Sequence, residues 1–233
     1  MVSFIQIKEE TVKGIFKERL TRFSALVEVK GETSQCFLPN PGRLSELLTP
    51  DATVILKEAK NRERKTQCDL IGVYYKGQQV SVDSRVPNKL VLEALKNKDL
   101  PEFSEYSTIV PEYLYGHTRF DFFLSDARKP CFLEVKSCTL VKDGVALFPD
   151  AKTERGTRHV QELLKTKNEG YRACILFLVQ RTDTHMFSPD DEADPKFGRA
   201  LREAASHGVE VYAYCSDFTG NRITLKEKIK IKL

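Results

Sequence analysis

Hydrophobic and polar positions alternate in short runs through the first third of the chain. Residues 13–20, 24–30 and 33–38 are partly alternating, with Gly31 turning the last two; 53–60, 67–75 and 78–82 follow, the final pair joined near Gly77. Only 44–48, rich in leucine, breaks the pattern, as a short helix. Five or six short strands with one small helix predict a compact closed barrel of the OB type, with a plain antiparallel sheet packed on the rest of the chain as the other arrangement. The texture changes near 83–87, which places a boundary there and divides the chain into 1–84 and 85–233. Leu90, Val91, Ala94 and Leu95 then space out a helix over 88–96, with Glu93 near its middle. A strand over 108–115 carries Glu112. Helices at 151–167 and 195–207 alternate with strands at 172–180 and 209–214. The run RACILFLVQ at 172–180 is apolar throughout, as a strand covered on both faces should be. The order α-β-β-β-α-β-α-β predicts a three-layer α/β (α+β) domain with a mixed sheet.

Composition narrows the function classes. With 233 residues, 41% of them hydrophobic, the chain can bury real cores. No apolar run approaches the roughly 18 residues of a membrane span, and the opening twenty residues are too charged for a signal peptide. A cytoplasmic protein is expected. Cys36, Cys68, Cys131, Cys138, Cys174 and Cys215 are scattered without a C-x-x-C pair, which signals neither a zinc knuckle nor a redox motif. A net charge of +4 permits a nucleic-acid partner without requiring one.

The chemistry concentrates in RFDFFLSDARKPCFLEVKS at 119–137. Two strands, 119–124 and 131–137, flank a loop of turn-forming residues. If that loop pairs Leu124 with Cys131, Asp121 stands opposite Glu134, and Glu134 shares a face with Lys136. Two carboxylates about 5 Å apart at their Cβ atoms repel unless a positive charge lies between them. Mg²⁺ or Mn²⁺ would serve, since such ions take one or two carboxylates together with waters and phosphate oxygens. The competing interpretation is a solvated face of mixed charge with Lys136 neutralising Glu134. A one-residue slip in register would also turn Asp121 away.

Basic residues of the first third fall on loops and strand ends: Arg19, Arg22, Arg43, Arg62, Arg64 and Lys65. OB-type barrels hold nucleic-acid strands with such loops and with stacking aromatics. Phe16, Phe23 and Phe37 could stack, although aromatics at strand spacing more often fill a core. In 38–43, LPNPGR, two prolines fix the backbone before an arginine that leads the short helix, a fit for an anion or a domain contact.

The order helix, strand, hairpin with Asp then Glu-x-Lys, helix, strand resembles the PD-(D/E)xK restriction-endonuclease-like fold. Several blocks resemble, more closely, the sugar fermentation stimulation protein A family: PNPGRLSELL at 39–48, RKT at 64–66, NKLVLEAL at 88–95, TRFDFFL at 118–124, LEVKSCTLV at 133–141 and FPDAKTERGTRHVQEL at 148–163. Two positions depart from it: Cys36-Phe37 precede the Pro-Asn block where the family often has His, and Thr118 stands where it often has Ser. The resemblance implies an OB-like barrel joined to an endonuclease-like domain that binds DNA with little sequence preference, linked to regulation of sugar metabolism. It makes Asp121 and Glu134 metal ligands, with the Val135 carbonyl as a further one, and gives Lys136 the role of stabilising charge or orienting water. Glu112, ahead of Glu93, would add a carboxylate. Arg119, together with Arg155 and Arg158 at the start of the 151–167 helix, would hold phosphates. His159 is expected to be structural more readily than catalytic.

Three functions follow as alternatives. The first is a DNA-binding protein with an Mg²⁺- or Mn²⁺-dependent endonuclease or exonuclease site. The second is a non-catalytic DNA-binding module that keeps the fold. The third, a transcriptional regulator with a specific operator, ranks last because no base-reading motif is evident.

Overall fold

A computed structural model describes residues 2–59 and 64–233. After a short strand β1 (Phe4–Gln6), five strands form a barrel: β2 (Thr11–Thr21), β3 (Ser24–Val29), β4 (Glu32–Phe37), β5 (Thr53–Glu58) and β6 (Cys68–Tyr75). They run in the order β4-β3-β2-β5-β6, and β4 closes on β6 where Phe37 pairs with Asp69. Closure needs a curled strand. β2 shifts register between Phe16 and Glu18 and again between Arg19 and Thr21, and each bulge bends the strand and steepens its twist. Gly14 lies where the barrel wall is tightest: a Cβ there would sit 2.9 Å from Leu56 Cδ1 and 3.1 Å from the Glu28 carbonyl. Phe16, Ala25, Val27, Leu56, Leu70 and Val73 fill the interior. The closed barrel, not the plain sheet, is the arrangement adopted.

The helix expected at 44–48 does not form. Leu44 has φ of 54°, in the left-handed region from which a right-handed helix cannot start. The segment makes one turn, with the Leu47 and Leu48 amides both donating to the Leu44 carbonyl. Its helix-like leucine spacing serves the barrel core, where Leu44, Leu47 and Leu48 are all buried.

From the barrel, β7 (Gln78–Ser81) leads to α1 (Val86–Lys96), which has proline in its first turn. Next come β8 (Thr108–Tyr115), β9 (Thr118–Ser125), β10 (Cys131–Cys138), β11 (Leu140–Lys142) and β12 (Val145–Phe148). Then follow α2 (Glu154–Asn168), β13 (Arg172–Val179), β14 (Met186–Pro189), α3 (Pro195–Ser206), β15 (Glu210–Thr219), β16 (Arg222–Lys228) and β17 (Lys230–Ile231). The main sheet continues out of the barrel as β7-β15-β13-β10-β9-β8, with β10, β13 and β15 parallel and the outer pairs antiparallel. At the join, Gly72 of β6 makes room for the Phe218 ring of β15, which a Cβ would approach to 2.7 Å.

Three layers result. Leu90, Val91 and Leu95 of α1 cover Leu124, Leu133 and Leu176 on one face, while Val160, Leu163, Phe197 and Leu201 of α2 and α3 cover Phe132, Ile175 and Phe177 on the other. β13 is buried along both faces, as its apolar run predicts. The mixed-sheet α/β expectation therefore holds, with more strands than foreseen. β1 pairs β16 from the other end of the chain, and β11, β12, β14 and β17 build a small second sheet. The strand expected at 209–214 runs on to Thr219 to meet β16 and β7. The 151–167 helix begins only at Glu154, where Thr153 accepts the Gly156 amide at 3.0 Å as its cap. Among the described residues no helix is long and apolar enough to cross a membrane.

Candidate active site

The β9–β10 hairpin takes the register in which Cys131 pairs Leu124, then Phe132 pairs Phe123 and Leu133 pairs Phe122, and there the ladder stops. Beyond Phe122, β9 follows β8, whose Pro111 has no amide to give and whose Glu112 takes φ of 52° between the Pro111–Phe122 and Tyr113–Phe120 pairs. At this fork a side chain replaces a backbone partner: the Val135 amide donates to Asp121 Oδ2 at 2.7 Å. Asp121 Oδ1 accepts from Asn88 Nδ2 at 2.6 Å, reaching down from the first turn of α1.

Glu134 looks toward the other helical layer. Its Oε1 accepts from Lys136 Nζ at 2.5 Å and shares a hydrogen bond with His159 Nδ1 on α2. Its Oε2 is buried without a hydrogen-bond partner among the described residues, an arrangement that costs free energy unless something positive reaches it. Burial alone would raise the Glu134 pKa, but the Lys136 ammonium and the His159 ring outweigh it and hold the carboxyl below its ordinary range. Asp121 is pushed up to about 7, first by burial and then by the Glu134 charge, against the pull of the Val135 amide, Lys136 and Asn88. Adjacent carboxyls with pKa values pushed apart in this way are a common mark of acid–base or metal chemistry. Since ionised Glu134 can only accept, His159 Nδ1 carries the proton. Its Nε2 is then free to accept from Arg155 Nε at 3.4 Å. His159, 5% exposed, orients Glu134 from behind.

Asp121, Glu134, Val135 and Lys136 form one wall of an open cleft of about 290 Å³. The loop Asn40–Gly42 and Arg22 of the barrel face them, with Asp150, Lys152, Arg155 and Gly156 leading into α2. The two halves meet here through Asp150, whose Oδ2 accepts the Leu44 amide at 3.2 Å and lies where a Gly42 Cβ would be only 2.6 Å away. Gly42 is thus the residue that lets the 39–43 loop come down on the site.

Comparison with known proteins places the chain in a family. The model described as "Sugar fermentation stimulation protein RE domain" matches residues 85–222, and that described as "SfsA N-terminal OB domain" matches 18–82. A sugar fermentation stimulation protein homolog of Caldanaerobacter subterraneus subsp. tengcongensis is 45% identical over 227 residues, 97% of this chain and 99% of the relative. One from Clostridium acetobutylicum is 44% identical over 230 residues, 98% of this chain and 100% of the relative. The chain belongs to the sugar fermentation stimulation protein family. Among solved structures, Pyrococcus furiosus SfsA in complex with Ca²⁺ superposes with a TM-score of 0.92 at 27% identity, covering 100% of both chains.

In this family member the residues singled out from sequence separate into groups. Asp121, Glu134, Val135 and Lys136 converge on one cleft, and Arg22 and Arg155 join them at its rim. Glu112 does not: its side chain is 62% exposed and faces Arg119 at 3.9 Å. Glu93 is turned to Lys96 on the surface of α1. Arg119, Arg155 and Arg158 line a second hollow with His117 and His159 at α2's first turns, which shares Arg155 with the acidic cleft. Arg19 is committed elsewhere, its guanidinium donating to the carbonyls of Thr21, Arg22, Asn40, Gly42 and Arg43. Arg64 is paired with Asp69 at 2.9 Å, while Arg43 and Lys65 are exposed. Arg62 lies outside the described residues. The cysteines are unpaired, five buried and Cys68 half-buried. Sequence inspection passed over Asn88 and Asp150. Both stand inside blocks that carry the family resemblance, but neither spacing nor residue type marks them as neighbours of Asp121.

Proposed function

We propose that the protein binds DNA with little sequence preference and carries a metal-dependent phosphodiesterase site at Asp121, Glu134 and Lys136, on a restriction-endonuclease-like domain. The observation that carries this reading is the buried, partnerless Glu134 Oε2 beside a carboxyl held near neutrality, at the wall of an open cleft with basic residues on its rim. Among the described residues no three acidic, His or Cys side chains gather as a ready metal cage. A donor set of two carboxylates suits Mg²⁺ or Mn²⁺, which keep waters and phosphate oxygens in their remaining positions. Asp121, Glu134 and the Val135 carbonyl would hold the ion, which would polarise a phosphate oxygen and lower the pKa of a water. The Ca²⁺ complex of the Pyrococcus furiosus relative supports a divalent cation in this fold.

The chain's own groups do the rest. Lys136 faces the same cleft as Glu134 and offsets charge on the phosphate as water adds and the leaving oxygen departs. His159 and Asn88 hold the two carboxylates in place, and Arg155 and Lys152 at the rim bind non-bridging oxygens. The family's name supports a place for this activity in the control of sugar use.

The test is cleavage of end-labelled single-stranded, duplex and branched DNA with Mg²⁺, Mn²⁺ or EDTA, beside Asp121→Ala. Metal-dependent cutting abolished by the substitution is the expected result. DNA binding without cutting under every condition would leave the non-catalytic module, a reading favoured by the number of protein partners the two carboxylates already have.

A further inference from the structure

Two aromatic rings lie together on the outside of the barrel, next to the acidic cleft. Phe23 stands at the two-residue tip between β2 and β3, where Thr21 pairs Ser24, and is 45% exposed. Its ring stacks on Phe37 of β4, with centroids 6.4 Å apart and planes inclined by 26°. Arg22 lies over Phe23 at 5.5 Å from the ring centre, and Arg64 and Arg85 flank Phe37 at 5.2 and 5.7 Å. Phe16, the third aromatic of this region, is buried inside the barrel instead.

Packing does not account for Phe23. Tight hairpin tips favour Gly, Asn and Asp, and a large ring left half in water contributes little to a core. The tip is nevertheless held rigid, because Arg19 ties the carbonyls of Thr21 and Arg22 to those of Asn40, Gly42 and Arg43 on the neighbouring loop. That loop and Arg22 also line the cleft of Asp121 and Glu134. A preformed aromatic surface, cations beside it and a continuous path to the acidic residues are the three parts of a single-strand track.

We propose that this face binds single-stranded nucleic acid, with one unpaired base stacked on Phe23 and the backbone running past Arg22 into the acidic cleft. The inference rests on the nucleic-acid reading of that cleft and narrows its substrate to a single strand or a single-stranded end. Intact duplex offers no free base face to Phe23, because its bases are stacked on one another.

The chain contains no tryptophan, so Phe23→Trp places a lone indole at the stacking position. With EDTA present to prevent turnover, this variant is titrated with single-stranded DNA, RNA of the same sequence and blunt duplex DNA. Single strands should quench the indole and duplex should not, and the RNA arm shows which sugar is accepted. In parallel, Phe23→Ala should weaken single-strand binding about 5- to 150-fold, the loss of one base–aromatic stack, and leave duplex binding unchanged. Far-ultraviolet circular dichroism checks that both surface variants keep the fold. Equal quenching by duplex, or single-strand affinity unaltered in Phe23→Ala, overturns the stacking proposal while the nucleic-acid reading stands. Failure of the unaltered protein to bind any of the three removes both.

Discussion

Asp121 makes the stability of the metal-free protein depend on pH in a direction opposite to that of most carboxylates. Its pKa is about 7 in the folded protein, against the ordinary 3.8. Between these values the folded protein retains a proton that the unfolded chain has lost, so stability falls as pH rises through the window and is lowest above about 7. About three pKa units at 1.36 kcal/mol each set a ceiling of about 4 kcal/mol. Asp121→Asn removes the titration but leaves one oxygen to serve two donors, the Val135 amide and Asn88, at a cost of about 1–2 kcal/mol. The variant should therefore be about 2–3 kcal/mol more stable than the parent near about pH 8.5 and about equal to it near about pH 5, where the parent has lost only about 1.6 kcal/mol of that ceiling. Urea unfolding in EDTA at the two pH values measures this. A stability difference that is the same at both would refute the reasoning, because it would mean that burial does not hold Asp121 protonated. Adding Mg²⁺ to the parent at the higher pH should recover about 2.7 kcal/mol at a hundredfold excess over Kd, and should do little for the variant.

Lys136→Met leaves Glu134 with His159 as its remaining partner in a place where both members of the pair are largely buried; thermal or urea unfolding near neutral pH should show a loss of about 3–5 kcal/mol. Arg19→Met frees the hairpin tip from the 40–43 loop; a loss of about 1.5–3 kcal/mol is expected from charge-assisted hydrogen bonds, read by urea unfolding, and an unchanged midpoint would mean that the clamp contributes nothing. Phe132 is fully buried, with ring contacts to Tyr113, Tyr115, Phe120, Phe123 and Tyr171; Phe132→Ala should cost about 3–5 kcal/mol by the same measurement.

Local signals carried far in this chain wherever a run was long enough to show its period. The six-residue loop after Leu124 was sufficient to set the hairpin register, because partners joined by a short loop have few alternatives. The same reasoning failed for 44–48, where leucines at helical spacing turned out to be barrel core around a left-handed Leu44. β1, β14 and β17 are two to four residues long and pair with segments far away in sequence, β1 with β16 and β14 with β12 and β17. Strands so short show no alternation of their own.

The site divides along the same line. Asp121, Glu134 and Lys136 were legible because one hairpin places all three, and side-chain alternation puts the last two on one face. Their environment was not legible. Asn88 arrives from α1, His159 from α2, and Asp150 from the loop that docks on Gly42. Arg19 and Glu112 show the limit from the other side: the first was chosen for its charge and binds carbonyls, and the second was chosen for its strand and is exposed to solvent beside Arg119. Sequence determined most of the longer helices and strands, a strand-rich first third followed by a layered sheet, and which charged side chains one hairpin carries, since each depends on residues within a few positions of one another. Only the tertiary structure decided which carboxyl oxygens are satisfied, which arginines remain free and that Phe23 faces solvent beside the cleft, because burial and pairing are set by groups that meet across the whole length of the chain.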